Sequence, residues 1–370
     1  MSLIQDKITL TVNGTDYTDW TSATITRSLK ECTSSIEFEV SEAWALNPPL
    51  PWQVKPFDSA TVKIGNDLAW TGYIENYSPG YSASGHTVKI SGRSKTCDIV
   101  DCVPDVHAGE FNGYDIDAVA RALCKPFGIA VVVESDTGES FPKITIEKTK
   151  KAFEILEELT RLRAVLITDD ANGNLVLTTA GQKGVSSGAL IEASFGGDPD
   201  GNILAASAEL SCAERYKDYY VMSQAPQSYD KTDAQLAIVG HATDLGCPRY
   251  RRFAEMAEHP ADTSIAQQRA VWRAKHNYAI GTKADITVVG FRQPNGKLWD
   301  TNYYIPVKSP RLELDMQLLI GKVTFSLSSD QGSTTKLSVA PAEAYTLEPK
   351  AMKKAKGSSA PIWTNVQKID

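Results

Sequence analysis

The sequence predicts an α+β fold, mainly β: two similar antiparallel β-barrel domains, plus a smaller α/β middle domain with a helical insertion. Three observations lead there. Short runs of alternating apolar and polar residues fill the chain up to residue 103 and return from residue 285, the period of strands with one buried face. Helical spacing is confined to the stretch between. At 370 residues the chain exceeds what one core usually serves, so more than one domain is expected.

The elements follow in order. Ile8, Leu10 and Val12 alternate with threonines ahead of Asn13-Gly14, a tight-turn pair. Ile36, Phe38 and Val40 alternate with Glu37 and Glu39, giving one apolar and one acidic face. Val62 and Ile64, then Val88 and Ile90, keep the period of two, and the Pro-rich NPPLPWQVKP among them reads as a loop. After His107 the spacing turns helical. Ile116, Val119, Ala120 and Leu123 share a face, with Asn112 the expected cap and Pro126 the stop. GIAVVVES reads as a buried strand. Ala152, Ile155, Leu156, Leu159 and Leu162 define a second amphipathic helix, and AVLITDDANGNLVLTT a hairpin about Asn172-Gly173. The loop-rich GQKGVSSGALIEASFGGDPDGN marks a boundary. ILAASAELSCAERYKDYYVMSQAP then reads as two strands, echoing the layout of TITRSLKECTSSIEFEVSEA. From Tyr229 to Gly281 loop and helix are expected, with Ser264 and Gln267 a capping box opening SIAQQRAVWRAKHNYAI. ADITVVGF, YYIPV, MQLLIGKVTFSLS and TTKLSVAP are strands, and a Lys-rich tail follows Glu348. The expected domains are a first barrel at 1–103, the middle domain at 104–200 and 229–298, a second barrel at 201–228 and 299–346, and the tail at 347–370.

A formal charge of −7 argues against a duplex-binding protein, which carries a basic footprint. No apolar run approaches bilayer-spanning length and no charged-then-apolar leader opens the chain, so a soluble protein made in the cytoplasm is expected, without membrane insertion. The six cysteines are scattered with no Cys-x-x-Cys pair, which favours free thiols.

Four stretches imitate chemistry. From His86 to His107 the spacing His-x10-Cys-x4-Cys-x4-His approaches that of a zinc site, and Ser94 with Asp98 or Asp101 imitates a nucleophile and its helpers. A strand advances about 3.3 Å per residue, so His86 and Cys97 lie at opposite ends of one and would meet only if the chain doubled back. GVSSG, with Ser186 at its centre, lacks the strand-turn-helix context of a nucleophile elbow. GFRQPNGKL has the wrong length for a phosphate loop and Leu298 where Ser or Thr would hold magnesium, whereas a turn at Pro294-Asn295-Gly296 explains it. His241, His259 and His276 are scattered, and His276 beside Arg273 and Lys275 reads as solvent-facing. No catalytic residue, metal ligand or cofactor is expected.

LTVNGTDYTDWTSATITRSLKECTSSIEFEVSEAW, followed by AWTGYIENYSPGYSASGHTVKISGRSKTCDIVDC, resembles the opening of the Mu-like phage baseplate hub family of contractile tails. Thr71-Gly72-Tyr73-Ile74, Ser91-Gly92-Arg93 and Asp98-Ile99-Val100-Asp101-Cys102 carry the likeness. IDAVARALCKPFGI and KAFEILEELTRLRAVLITDDANGNLVLT resemble the family's middle domain, and the segment from Leu298 to Pro349, with Trp299, Asn302, Pro341 and Ala344, its last barrel. The resemblance implies a non-enzymatic homotrimer in the virion. Its two barrels per chain would give six positions in a ring joining the six-fold tail tube protein to the three-fold central spike protein, among other baseplate proteins. DNA would pass through the channel without specific binding. Trp20, Tyr219, Tyr220, Trp272 and Tyr303 are the expected interface aromatics, and Glu37 and Glu39 the expected channel-facing acids, since net acidity keeps phosphates from sticking. A hub of a contractile bacteriocin or type VI secretion particle shares the architecture. A cell-wall hydrolase would need the motifs that fail above, and a secreted adhesin would need a leader.

Overall fold

A computed structural model describes residues 6–42, 54–82, 85–105, 109–147, 149–193, 201–224, 237–257 and 263–349. The expected alternation folds as strands. β1 (Ile8–Val12) turns into β2 (Thr15–Tyr17) through Asn13 and Gly14, at φ 51° and 79°, the positive values that this hairpin turn requires. β3 (Ser22–Ser28), β4 (Ser35–Glu42), β5 (Ser59–Ile64), β6 (Asp67–Ser82) and β7 (Gly85–Ser94) follow. Most of NPPLPWQVKP lies outside the described residues.

The middle unit comprises α1 (Cys97–Asp101), β8 (Glu110–Phe111), α2 (Ile116–Cys124), β9 (Val131–Val133), β10 (Ile144–Thr145), α3 (Ala152–Arg163), β11 (Leu166–Asp169) and β12 (Leu175–Thr178). Ile116, Val119, Ala120 and Leu123 of α2 and Ile155, Leu156 and Leu159 of α3 share one buried core. The cap of α2 is Asp115, whose carboxylate accepts from the Ala118 N–H at 2.9 Å. Asn112 stands too far upstream to reach the first turn's free donors.

Next come β13 (Leu190–Ile191), β14 (Ile203–Leu210), β15 (Asp218–Gln224), β16 (Ala237–Thr243), β17 (Arg252–Met256) and α4 (Thr263–Ile280). The expectation of loop and helix alone between 229 and 281 is corrected here: β15, β16 and β17 form a separate three-stranded sheet under α4. Gly240 shows why β16 is faint in the sequence. A Cβ there would stand 2.1 Å from the Ala266 backbone, so the helix sits down on the strand at a glycine, a residue that weakens the strand signal. Gln267 does not close a capping box. Its amide accepts from the His241 N–H (3.0 Å) and donates to the His241 carbonyl (2.7 Å), tying α4 to β16.

The last strands are β18 (Thr282–Val289), β19 (Tyr304–Ser309), β20 (Leu314–Ser328) and β21 (Gly332–Ala340). β14 and β18 to β21 join the early strands in one 13-stranded sheet, ordered β14-β18-β21-β20-β3-β4-β7-β6-β5-β1-β2, with β19 beside β20 and β13 beside β19. This corrects the expectation of two barrels: among the described residues no pairing closes either half on itself. The reason lies in the length of β20. β19 pairs with it up to Leu319, and β3 takes over that edge from Lys322↔Ser28 to Ser328↔Ser22. The two halves therefore share backbone hydrogen bonds and one core, in which Trp70, Ile25, Phe291 and Phe325 are almost fully buried.

Candidate assembly surfaces and their supports

The close crossing of β6 and β7 depends on two glycines. A Cβ on Gly72 would lie 2.1 Å from the Arg93 carbonyl oxygen, and one on Gly92 2.3 Å from that of Tyr73. Arg93, beside this crossing, donates to Glu75 (2.8 Å) and to Asp101, fastening the hairpin to α1. These two carboxylates hold the Arg93 pKa above its usual value despite burial. The stretch from Ser91 to Cys102 is thus a mechanical corner.

A second support joins three parts of the chain. Arg27 follows Ala23 and Ile25 on the inward side of β3 and is buried. Its guanidinium lies 3.0 Å from Asp300 and donates to the Asp169 carbonyl at 3.3 Å, while Lys183 meets Asp300 at 2.6 Å. Burial alone would lower the Arg27 pKa; Asp300, then Asp169, reverse this and raise it. Burial also works to raise the Asp300 pKa, but Arg27 and Lys183 overcome it and hold that carboxyl low. Asp169 is different: its pKa is raised, because burial outweighs Arg27 and the Ser34 hydroxyl. No expected site residue belongs to this network. Its sequence signal is an arginine at an inward position of a strand's alternation.

The expected interface aromatics separate by burial. Trp20 is 7% exposed, packs on Phe38 at 4.5 Å and donates its indole N–H to the Ile8 carbonyl. Tyr219 is fully buried, and its hydroxyl accepts from the Tyr216 N–H. Trp272 is buried, stacks on His276 at 4.6 Å and donates to the Thr346 hydroxyl at 3.0 Å. These three face the interior of their own chain. Tyr220 and Tyr303 are half-buried. Tyr220 lies between the His241 ring (4.5 Å) and the Arg252 guanidinium (4.2 Å) on the face of its sheet away from α4, and Lys183 stands over the Tyr303 ring at 5.8 Å. Glu37 and Glu39 point away from the core between buried Ile36, Phe38 and Val40, and Lys89 approaches Glu39 at 3.4 Å.

The imitations of chemistry take structural places. Ser94 is buried with its hydroxyl 2.7 Å from that of Thr96. Cys97 is buried, and burial pushes its thiol up to about 12. His107 and the side chain of His86 lie outside the described residues, as does His259; among the described residues no three His, Cys, Asp or Glu side chains gather as metal ligands. Ser186 donates to the Gly188 carbonyl at 2.9 Å in a loop bridged to Tyr304. Gln293 to Lys297 closes as the expected turn. His276 is not solvent-facing: its ring meets the Glu343 carbonyl at 2.8 Å, and burial lowers its pKa. Among the described residues no helix is long and apolar enough to cross a membrane.

This architecture has solved counterparts. The crystal structure of the 43 kDa tail protein of prophage MuSo2 from Shewanella oneidensis is 31% identical, matches with a TM-score of 0.78, and is covered in full by 93% of this chain. The chain belongs to the Mu phage baseplate hub family. Residues 7–94 match the Mu phage baseplate assembly protein GpP-like N-terminal model, residues 96–179 the baseplate hub protein gp44-like second domain, and residues 262–348 the GpP fourth domain. Baseplate hub protein gp44 of Escherichia phage Mu is 27% identical over 354 residues, covering 92% of this chain and 89% of that protein. The tail protein of Neisseria meningitidis MC58 shares the fold at 19% identity, with a TM-score of 0.74 over 92% of this chain and 99% of its own. As a member of the baseplate hub family this protein is a structural, non-enzymatic component of a Mu-like phage tail, working among other tail components of the virion.

Proposed function

We propose that this hub protein forms a homotrimeric ring that joins the six-fold tail tube protein to the three-fold central spike protein, in contact with other baseplate proteins. The observation that carries the reading is the seam between β20 and β3. It fuses two β halves of one chain into a single sheet, so three copies would present six β halves to a six-fold neighbour.

The outward face across that seam suits the wall of a DNA channel. Ser22, Thr24 and Thr26 of β3 pair with Ser328, Ser326 and Thr324 of β20, and Glu37 and Glu39 continue the face on β4. Two of its lysines meet carboxylates, Lys89 with Glu39 and Lys336 with Asp285 at 2.8 Å. Phosphate binding relies on cations free to replace counterions, and of Lys89, Lys322 and Lys336 on this face, Lys89 and Lys336 are neutralised while Lys322 acts on Asp285 from farther away. Of the five expected interface aromatics, Tyr220 and Tyr303 keep surface for contact between subunits. Light scattering of the purified protein tests the ring: a trimer is expected, and a stable dimer overturns the reading. Cryo-electron microscopy of tails tests the channel, since Glu37 and Glu39 on the outer surface would refute it.

A further inference from the structure

β14 is the terminal strand of the large sheet, and among the described residues nothing pairs with its outer edge. Only Ile203 and Ala208 of it pack against the core. Six of its eight residues are exposed, including Leu204 (58%) and Leu210 (51%). Ala206, Ala208 and Leu210 pair with Ile286, Ala284 and Thr282, which are buried, so the exposed apolar side continues the face that makes the core elsewhere. On the opposite face a cleft of about 520 Å³ opens beside Glu209, Lys283 and Tyr345.

Free sheet edges are normally blunted by lysine, proline, bulges or shortness. The other free edges of this sheet obey that rule: β2 has three residues, and the distal part of β6 carries Pro79 and Gly80. β14, ILAASAEL, has neither lysine nor proline, its one charge (Glu209) is paired with Lys283 at 2.9 Å, and its single irregularity lies at the start, between Ile203 and Ala205. An edge left so open is built to be covered.

The same chain displays an unmatched apolar projection. Phe57 is 93% exposed and sits at φ 77°, a backbone conformation rarely adopted by phenylalanine. The turn is braced: the Phe57 N–H donates to the Ile74 carbonyl at 2.8 Å, and the Ile74 N–H to that of Asp58 at 2.9 Å. A strained and fixed backbone that points a phenyl ring into water is accounted for once something covers the ring.

We propose that the Ile203–Leu210 edge of one copy is covered by a second copy of this chain, and that Phe57 is the side chain which the second copy seats on the exposed apolar side of that edge. The inference rests on the ring reading above and names its seam. Contact between two different surface halves is heterologous, and such contacts close into a ring when the rotation between copies closes, which the trimeric reading requires; β14 paired with itself would instead give a two-fold dimer.

Light scattering tests this on the full chain, the double variant Leu204→Lys/Leu210→Lys, Phe57→Lys, and an equimolar mixture of the two variants. The native chain should be a trimer, and each variant a monomer with unchanged unfolding temperature. The mixture should give one-to-one dimers, because one intact half from each variant can meet while the ring cannot close. Either variant remaining trimeric overturns the seam and leaves the ring standing. A native monomer or two-fold dimer overturns the ring and the seam together. Should the double variant not fold, hydrogen exchange of the native trimer decides. Slow exchange of the β14 amides in the trimer, lost on dilution to monomer, supports the seam; equal exchange in both refutes it.

Discussion

Replacing Asp300 by asparagine removes the countercharge from two cations at once. Lys183 is 23% exposed and turns to water at little cost. Arg27 has no such escape, since its side chain is 10% exposed and enclosed by β3, Asp169 and Asp300. Leaving one partner of a buried pair uncompensated costs about 3–5 kcal/mol. Asp169 stays beside Arg27 and softens the loss, so Asp300→Asn should cost about 3 kcal/mol, the lower end of that range. Urea unfolding measures it as a drop in midpoint with unchanged slope. Asp169→Asn is the internal control: burial already disfavours its carboxylate, and an amide oxygen still accepts from the Ser34 hydroxyl, so a loss within about 1 kcal/mol is expected. The pH dependence separates the two further. Asp300 has a folded pKa below its unfolded value, so its contribution is complete above the unfolded pKa and disappears as pH falls through the folded one. The gap between native protein and Asp300→Asn should therefore close only in acid. A loss below about 1 kcal/mol for Asp300→Asn, or a larger loss for Asp169→Asn, would show that Asp169 and not Asp300 carries Arg27.

Gly72→Ala should destabilise by about 3 kcal/mol, read as a fall in unfolding temperature, because the new methyl meets strand backbone, which cannot swing aside. Trp272→Ala should cost about 3–5 kcal/mol and open the segment after Pro341 to limited proteolysis, since the indole both packs α4 and holds Thr346. In Ellman titration of native protein at about pH 8, Cys97 and Cys124, with thiols pushed to about 12, should stay silent while exposed Cys212 reacts. His276 has a folded pKa below its unfolded value near 6.5, so the unfolded chain binds the proton more readily and stability should fall as pH drops below that value; His276→Gln should flatten the slope measured by urea unfolding.

Where a residue's neighbours in sequence determine its surroundings, the sequence was legible. The alternation around Ile36, Phe38 and Val40 and the helical faces of α2 and α3 carry their burial in their spacing. Asn13-Gly14 and Asn172-Gly173 carry their turns in their own φ preferences. What stayed hidden depends on distant partners. β16 escaped because Gly240 serves a helix 26 residues away, and Gln267 imitated a cap because its partner, His241, is invisible from its own helix. Trp272 and His276 looked like surface anchors until residues 343 to 346 folded over them. The two barrels became one sheet for the same reason: pairing of β3 with β20 joins residues about 300 positions apart, and no local pattern encodes that register.

Arginine placement connects the fold to the work of a hub. Arg93 ties the β6–β7 hairpin to α1 through Asp101. Arg27 ties β3 to the loop after Trp299, and Arg292, after β18, grips Asp6 and Asp67 at 2.6 Å each. Arg215 holds Asp244 through two nitrogens, and Arg269 fixes Glu348 to α4. Arg27, Arg269 and Arg292 join elements distant in sequence, Arg93 and Arg215 nearer ones, and the planar guanidinium fork fixes direction as well as distance, which a lysine point charge does not. A catalytic protein would gather such groups in one cleft. Here they are distributed over the seams between units, where units joined only by small polar contacts would otherwise move independently. Bracing at these seams restrains the units against one another, which suits a structural component of a phage tail.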